Sequence, residues 1–212
     1  VYSVEEVKAL SAIAKANNLG VHMDGARFAN AVAALGCTPA EITWKAGVDV
    51  LSFGTTKGGG LACEALIYFD PARGAEMVRR RMRAGHLLSK HRFLAAQMDA
   101  FLDGGHWLDL ARHANAAAKR LADGLAAIPG VRLPIVPQAN GLFPIMRQEI
   151  VDALKAEGAA FYPWPDKGLP EAERARPGEQ MMRLVTSFAT RDEDIDRFLA
   201  IAAKAAAPLA AG

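Results

Sequence analysis

From Ser3 to Asp70 helical and extended signals alternate without a gap, and each change of state carries its own punctuation. Ser3-Val4-Glu5-Glu6 is a capping box: the Ser side chain can accept the N–H three residues on while the Glu reaches back. Val7, Leu10 and Ile13 follow at helical spacing, predicting a helix from about Val4 to Asn17 that ends at Asn18-Leu19-Gly20. Gly20-Val21-His22-Met23-Asp24 then reads as a buried strand with Asp24 at its carboxyl end. A second helix passes through Phe28, Val32 and Leu35, and Thr38-Pro39-Ala40-Glu41 starts another with Pro in its first turn. Val48–Phe53 and Ala65–Phe69 are the next strands, and Asp70-Pro71 opens a long polar helix. Such alternation builds an open α/β sheet, of which three strands are only a part. Ligands of open α/β sheets gather at the carboxyl ends of strands, where Asp24 sits.

The rest of the chain changes rhythm. Residues 92 to 128 are helical, with Leu110, Ala114, Ala117, Leu121 and Leu125 on one face and a break at Asp103-Gly104-Gly105 that reads as a hinge. This predicts two domains, 1–105 and 106–212. In the second, strands are expected over 131–136, 141–146, 160–162 and 181–187, and helices over 148–157 and 192–205. Thr190 and Glu193 are expected to cap the last helix. Residues 163–178, rich in Pro and charge, read as a surface loop.

Composition removes several function classes. Among 212 residues, 25 Lys and Arg face 23 Asp and Glu, a net charge of +2 that is too even for a nucleic-acid partner held by counterion release. No apolar run approaches the roughly 20 residues of a membrane helix. Cys37 and Cys63 lack CxxC spacing and a neighbouring His cluster, so they read as small buried residues, with neither disulfide nor metal expected. Together these give a cytoplasmic protein as the expectation. Arg79, Arg80, Arg81 and Arg83 read as a solvated helix face, and His86, His91, His106 and His113 as helix or loop residues.

Lys57 stands in Gly54-Thr55-Thr56-Lys57-Gly58-Gly59-Gly60, directly after an apolar strand. Glycines there let the backbone approach a ligand, and the Lys is a phosphate contact or an amine nucleophile. The order of residues is not that of a phosphate-binding P-loop, which needs Gly-Lys-Ser/Thr. Taken alone, Lys57 could equally be an exposed turn lysine and Asp24 the N-cap of the next helix. Together, a carboxylate and a lysine at neighbouring strand ends are the two groups that pyridoxal phosphate requires: an amine for the Schiff base and an anion for the pyridine nitrogen.

The stretch His22-Met23-Asp24-Gly25-Ala26-Arg27-Phe28-Ala29-Asn30-Ala31 resembles the strand-end signature of the threonine aldolases, among the beta-eliminating lyases of the fold type I pyridoxal-phosphate enzymes. The same resemblance covers residues 49–57, residues 83–93 and Arg183-Leu184-Val185-Thr186-Ser187, and is nearest to the low-specificity bacterial branch. It implies a partial large domain, a mostly parallel sheet with helices, followed by a small α/β C-terminal domain. It also implies that the chain is N-terminally incomplete, because members carry a long preceding segment with the phosphate-binding Gly-rich turn and the side chain that stacks on the ring.

By that resemblance Lys57 is the Schiff-base lysine and Asp24 the pyridinium partner. Arg27 and Arg183 hold the substrate carboxylate, and Ser52 or Thr55 donates to the cofactor phosphate. His22 is a residue behind these. The implied reaction cleaves L-threonine, L-allo-threonine or a related β-hydroxy-α-amino acid to glycine and an aldehyde, with pyridoxal 5'-phosphate as cofactor and a homo-oligomer, dimer or tetramer, as the assembly. Two alternatives stay open: another pyridoxal-phosphate reaction, β-elimination or racemisation, or a fragment without catalysis. Read without the family, Arg27 pairs with Asp24 or a neighbouring acid on its helix, and Arg183 is a strand residue facing water.

Overall fold

The structure is a computed structural model that describes residues 1–207. It divides into two compact units, Val1–Arg112 and a second that begins at His113.

In the first unit the predicted caps set the elements. Ser3 Oγ accepts the Glu6 N–H and Glu6 Oε2 accepts the Ser3 N–H (2.7 Å), starting α1 (Val4–Ala16). β1 (His22–Gly25) leads to α2 (Phe28–Leu35), which ends at the left-handed Gly36. Thr38 and Glu41 form the second capping box, ahead of α3 (Pro39–Ile42). β2 (Val50–Gly54) and β3 (Glu64–Tyr68) complete the sheet. β1 and β2 pair in parallel, with Asp24 opposite Ser52, while β2 and β3 are antiparallel, so this part of the sheet is mixed.

The long helix expected from Asp70 is two short ones, α4 (Pro71–Gly74) and α5 (Met77–Arg83). Asp70 caps the first as read, accepting the Ala72 N–H at 3.0 Å, but Gly74, a poor helix former packed on Tyr68, ends it after one turn. α6 (Arg92–Leu102) and α7 (His106–Ala126) flank the turn at Asp103–Gly105, where Gly104 is left-handed. One face of the sheet is closed by an aromatic cluster in which Phe53 meets Phe28 and Trp107 edge-on at 6.0 and 5.8 Å and Phe101 at 6.2 Å.

The second unit packs helices on an antiparallel sheet. Its strands are β4 (Val131–Arg132), β5 (Gly141–Leu142), β6 (Ile145–Arg147), β7 (Tyr162–Pro163) and β8 (Glu179–Val185). Its helices are α8 (Gln148–Ala156) and α9 (Asp192–Ala206), with the later turns of α7. Prolines trim the strands: β4 stops short of Pro134, and the strand expected over 141–146 is broken at Pro144, which has no N–H to give. The register is nevertheless the same on both sides of that break, Leu142 opposite Leu184 and Ile145 opposite Met181. β5 and β6 therefore line one edge of β8, and β7 lines the other. Leu125, Leu142, Met146, Ile150, Leu154 and Met182 form a fully buried core beneath.

The cap of α9 differs from expectation. Arg191, not Thr190, precedes the helix, and its backbone and guanidinium donate to Asp194; Thr190 Oγ1 instead accepts the Ser187 N–H at 2.9 Å. The Arg191 carbonyl accepts the Asp194 and Ile195 N–H groups at the helix start, and the Arg191–Asp194 ion pair braces that turn.

Candidate active site

Strand alternation decides which side chains of β1 and β2 can serve a ligand. Leu51, Phe53 and Gly25 point into the first unit's core, so His22, Asp24 and Ser52 share the opposite face, where His22 and Asp24 are exposed and Ser52 half-buried. His22 Nε2 lies 2.7 Å from Ser52 Oγ. Asp24 Oδ1 accepts the Ala26 N–H at 2.9 Å in a short turn ahead of α2. Asp24 does not cap that helix, since the residue at the N-cap is Arg27.

Lys57 is exposed in the turn into which β2 runs. The turn is wound on the Thr55 carbonyl, which accepts the N–H groups of Gly58 (2.8 Å) and Gly60 (3.0 Å). Thr55 is fully buried, its N–H donating to the Cys63 carbonyl at 2.9 Å and its hydroxyl turned toward the same oxygen. The outward hydroxyl is that of Thr56, which donates to Glu64 Oε1 at 2.9 Å. Glu64 in turn lies against the α-carbon of Gly54, in space that a β-carbon would need. Gln97 of α6 anchors the far side, its Oε1 accepting the N–H groups of Leu61 and Ala62, both at 2.9 Å. Burial, then the charges of Glu64 and Asp99, push the Cys63 thiol up, so it stays protonated and is a poor nucleophile.

Arg27 is half-buried between β1 and α2. Arg183 belongs to the second unit, on β8 opposite Tyr162, with its guanidinium over the Trp164 ring at 5.1 Å. A cavity of about 340 Å³ in that unit, between Phe161, Leu184 and Phe198, is lined by none of the six candidate residues. No group of three metal-ligating side chains occurs among the described residues, and none of their helices is long and apolar enough to cross a membrane. Sequence reasoning missed Gln97, Glu64 and Trp164, because each acts across 8 to 36 positions of chain and sits in no motif.

Residues 1–148 match the family model of the beta-eliminating lyases. The chain belongs to that family. It is 47% identical over 168 residues to a low specificity L-threonine aldolase of a Pseudomonas species, and 46% identical to another from Pseudomonas aeruginosa; each match covers 79% of this chain and 49% of the relative. The chain thus spans about half the length of the curated relatives it matches. A threonine aldolase structure from Leishmania major superposes over 97% of this chain and 57% of its own, with a TM-score of 0.84 and 28% identity. A Burkholderia pseudomallei sphingosine-1-phosphate lyase shares the fold alone, with a TM-score of 0.68 at 18% identity over 97% of this chain and 50% of its own. The beta-eliminating lyase fold is that of the fold type I pyridoxal-phosphate enzymes.

The residues of the first unit suit such a cofactor chemically. One face of the strands and the turn beyond it offer a carboxylate, a hydroxyl and a primary amine.

Proposed function

We propose that the protein to which this chain belongs is a pyridoxal-phosphate-dependent aldolase that converts L-threonine, L-allo-threonine or a related β-hydroxy-α-amino acid to glycine and an aldehyde. The observation that carries this reading is the parallel register of β1 and β2. It sets the exposed Asp24 opposite Ser52, at the strand whose continuation holds Lys57. The 46–47% identity to low specificity L-threonine aldolases supports the same substrate class.

Bound, pyridoxal phosphate supplies an electron sink for the charge left on Cα when the Cα–Cβ bond breaks. This chain's residues create the conditions for it. Lys57 would be the amine that holds the cofactor covalently. Asp24 would hold a proton on the pyridine nitrogen, since a carboxylate beside it favours the charged form. The Ser52 hydroxyl would donate to the phosphate. Thr55, its hydroxyl turned inward, shapes the turn that presents Lys57. Arg27 and Arg183 take the substrate carboxylate, and a fixed carboxylate determines which bond at Cα is aligned for cleavage. The proposal extends to a homo-oligomer, dimer or tetramer, working in the cytoplasm.

Borohydride reduction of the protein purified from cells, followed by peptide mass spectrometry, tests the cofactor assignment. A reduced adduct on the Lys57 peptide is expected, and Lys57→Ala should lose both the adduct and glycine formation while keeping its far-UV spectrum. A K57A protein with near-normal turnover would reject the role of Lys57. The family description favours one second reading, β-elimination. Products separate the two: retro-aldol cleavage of threonine gives glycine and acetaldehyde, and elimination gives a 2-oxo acid and ammonia.

A further inference from the structure

Four arginines among the described residues are half-buried: Arg27, Arg132, Arg147 and Arg183. Arg132 donates to Glu179 at 2.6 Å, and Arg147 to Glu149 at 3.3 Å. Arg183 meets no carboxylate among the described residues; what it meets is the indole of Trp164. An indole draws a guanidinium through its ring quadrupole and supplies no carboxylate oxygen to take up its five N–H donors. Arg183 thus has the form of a receptor for a planar anion, with an aromatic plate in place of a counter-ion.

The plate is itself built in. The Trp164 backbone N–H donates to the Met181 carbonyl at 2.8 Å, extending β7 by one residue along β8 and placing Trp164 two residues from the partner of Arg183. The ring of Phe143 lies 5.5 Å from that of Trp164. The unbroken register of β5 and β6 sets Phe143 across from Arg183 on the other edge of β8. Segments on both edges of β8 therefore meet at the Trp164 ring that faces Arg183.

We infer that Trp164 is the positioning residue of a carboxylate receptor in the second unit: its indole holds Arg183 in place clear of the acids among the described residues, so that the guanidinium fork takes the carboxylate of an α-amino acid. This rests on the reading of Arg183 as the substrate-carboxylate residue. A neighbouring acid would hold the side chain equally well but would occupy the donors the ligand needs. An indole restricts the long side chain and competes for none of them.

The test uses the full protein with its cofactor and compares Trp164→Leu, Trp164→Phe and Arg183→Lys. Binding of glycine is read beside binding of glycinamide, which lacks the carboxylate. W164L should weaken glycine about five-fold, about 1 kcal/mol at 1.4 kcal/mol per decade, the size of a cation–π contact. The KM for L-threonine should rise in parallel, with kcat within two-fold, glycinamide binding unchanged and the Lys57 adduct intact. W164F, which keeps an aromatic face, should recover most of the loss. R183K should weaken glycine more than any Trp164 variant. Should W164L fail to fold, Trp164→Gln keeps a long side chain without the ring and serves in its place. Equal loss for glycine and glycinamide, or glycine binding that Trp164 variants leave unchanged while R183K weakens it, would overturn the inference and leave the Arg183 reading standing. Glycine binding unaffected by R183K would reject that reading itself.

Discussion

Gly25 follows Asp24 with its α-carbon pressed toward the Ser52 carbonyl and the Leu51 side chain, so that a β-carbon would overlap both. One obstacle is backbone and cannot rotate away. Gly25→Ala must therefore push β1 off β2 at the pair that sets Asp24 beside Ser52, at a cost of about 1–3 kcal/mol. The measurement is the urea midpoint together with the yield of the Lys57 adduct, and both should fall. A G25A protein with wild-type midpoint and adduct would show that β1 and β2 can separate without disturbing the face that Asp24 and Ser52 share. Residue-level chemistry was legible in this part of the chain because Asp24-Gly25-Ala26-Arg27 and Lys57 with its glycines lie in short continuous segments. The Thr55 hydroxyl, offered with that of Ser52 as a donor to the cofactor phosphate, is buried against the Cys63 carbonyl, and sequence carries no sign of this because Cys63 sits eight residues on. The same blindness hid the Trp164 indole, whose neighbours Phe143 and Arg183 are about 20 positions away on either side.

Among elements, the caps were the legible feature and the strand lengths were not. Ser3 with Glu6 and Thr38 with Glu41 act within three residues, so sequence contains the whole interaction. Strand extent depends on which neighbour a proline faces, and the division of 141–146 at Pro144 is visible only once β8 is placed beside it. The segment before β8 shows the same dependence. Arg132 of β4 donates to Glu179 and to the carbonyls of Glu173 (3.2 Å) and Arg174 (3.0 Å), pinning the end of the 163–178 loop. Burial pushes the Glu179 carboxyl up, but the Arg132 guanidinium and the Arg176 N–H outweigh it and hold it below its ordinary value of 4.5. A folded-state value below the unfolded one makes the contribution to stability complete above about pH 4.5 and lost as pH falls through the lower folded value. Glu179→Gln should cost on the order of 1 kcal/mol at pH 7 and flatten the stability loss on acidification below pH 4.5. Thermal midpoints of both proteins from pH 3 to 7 check this, and parallel curves would mean another carboxylate governs the acid limb.

At the scale of the molecule, each unit has its own apolar core, and the boundary between Arg112 and His113 falls inside α7. Trp107 and Ala111 belong to one core and Ala117, Leu121 and Leu125 to the other, so an uninterrupted helix leaves no breaker to read. Surface, too, is a property of the whole. Among the described residues, Leu61, Leu66, Val78, Met82, Leu87, Leu88 and Phe93 are large, apolar and exposed within one stretch of 33 residues, a density expected of a surface that meets protein. Val78 and Met82 are four apart on α5, hence on one helix face, and are 73% and 59% exposed. If the protein is the proposed homo-oligomer and α5 lies in its interface, Val78→Glu with Met82→Glu buries two unpaired carboxylates on association and none in the free chain. Substitutions at exposed positions change stability by about 0.5 kcal/mol or less, so the double variant should keep its thermal midpoint at dilution. Its sedimentation velocity should shift at micromolar concentration from the oligomer toward the monomer, by a loss of at least ten-fold in association constant. An unchanged distribution would remove α5 from the interface, and the remaining exposed residues of the 61–93 stretch would then have to be covered without it.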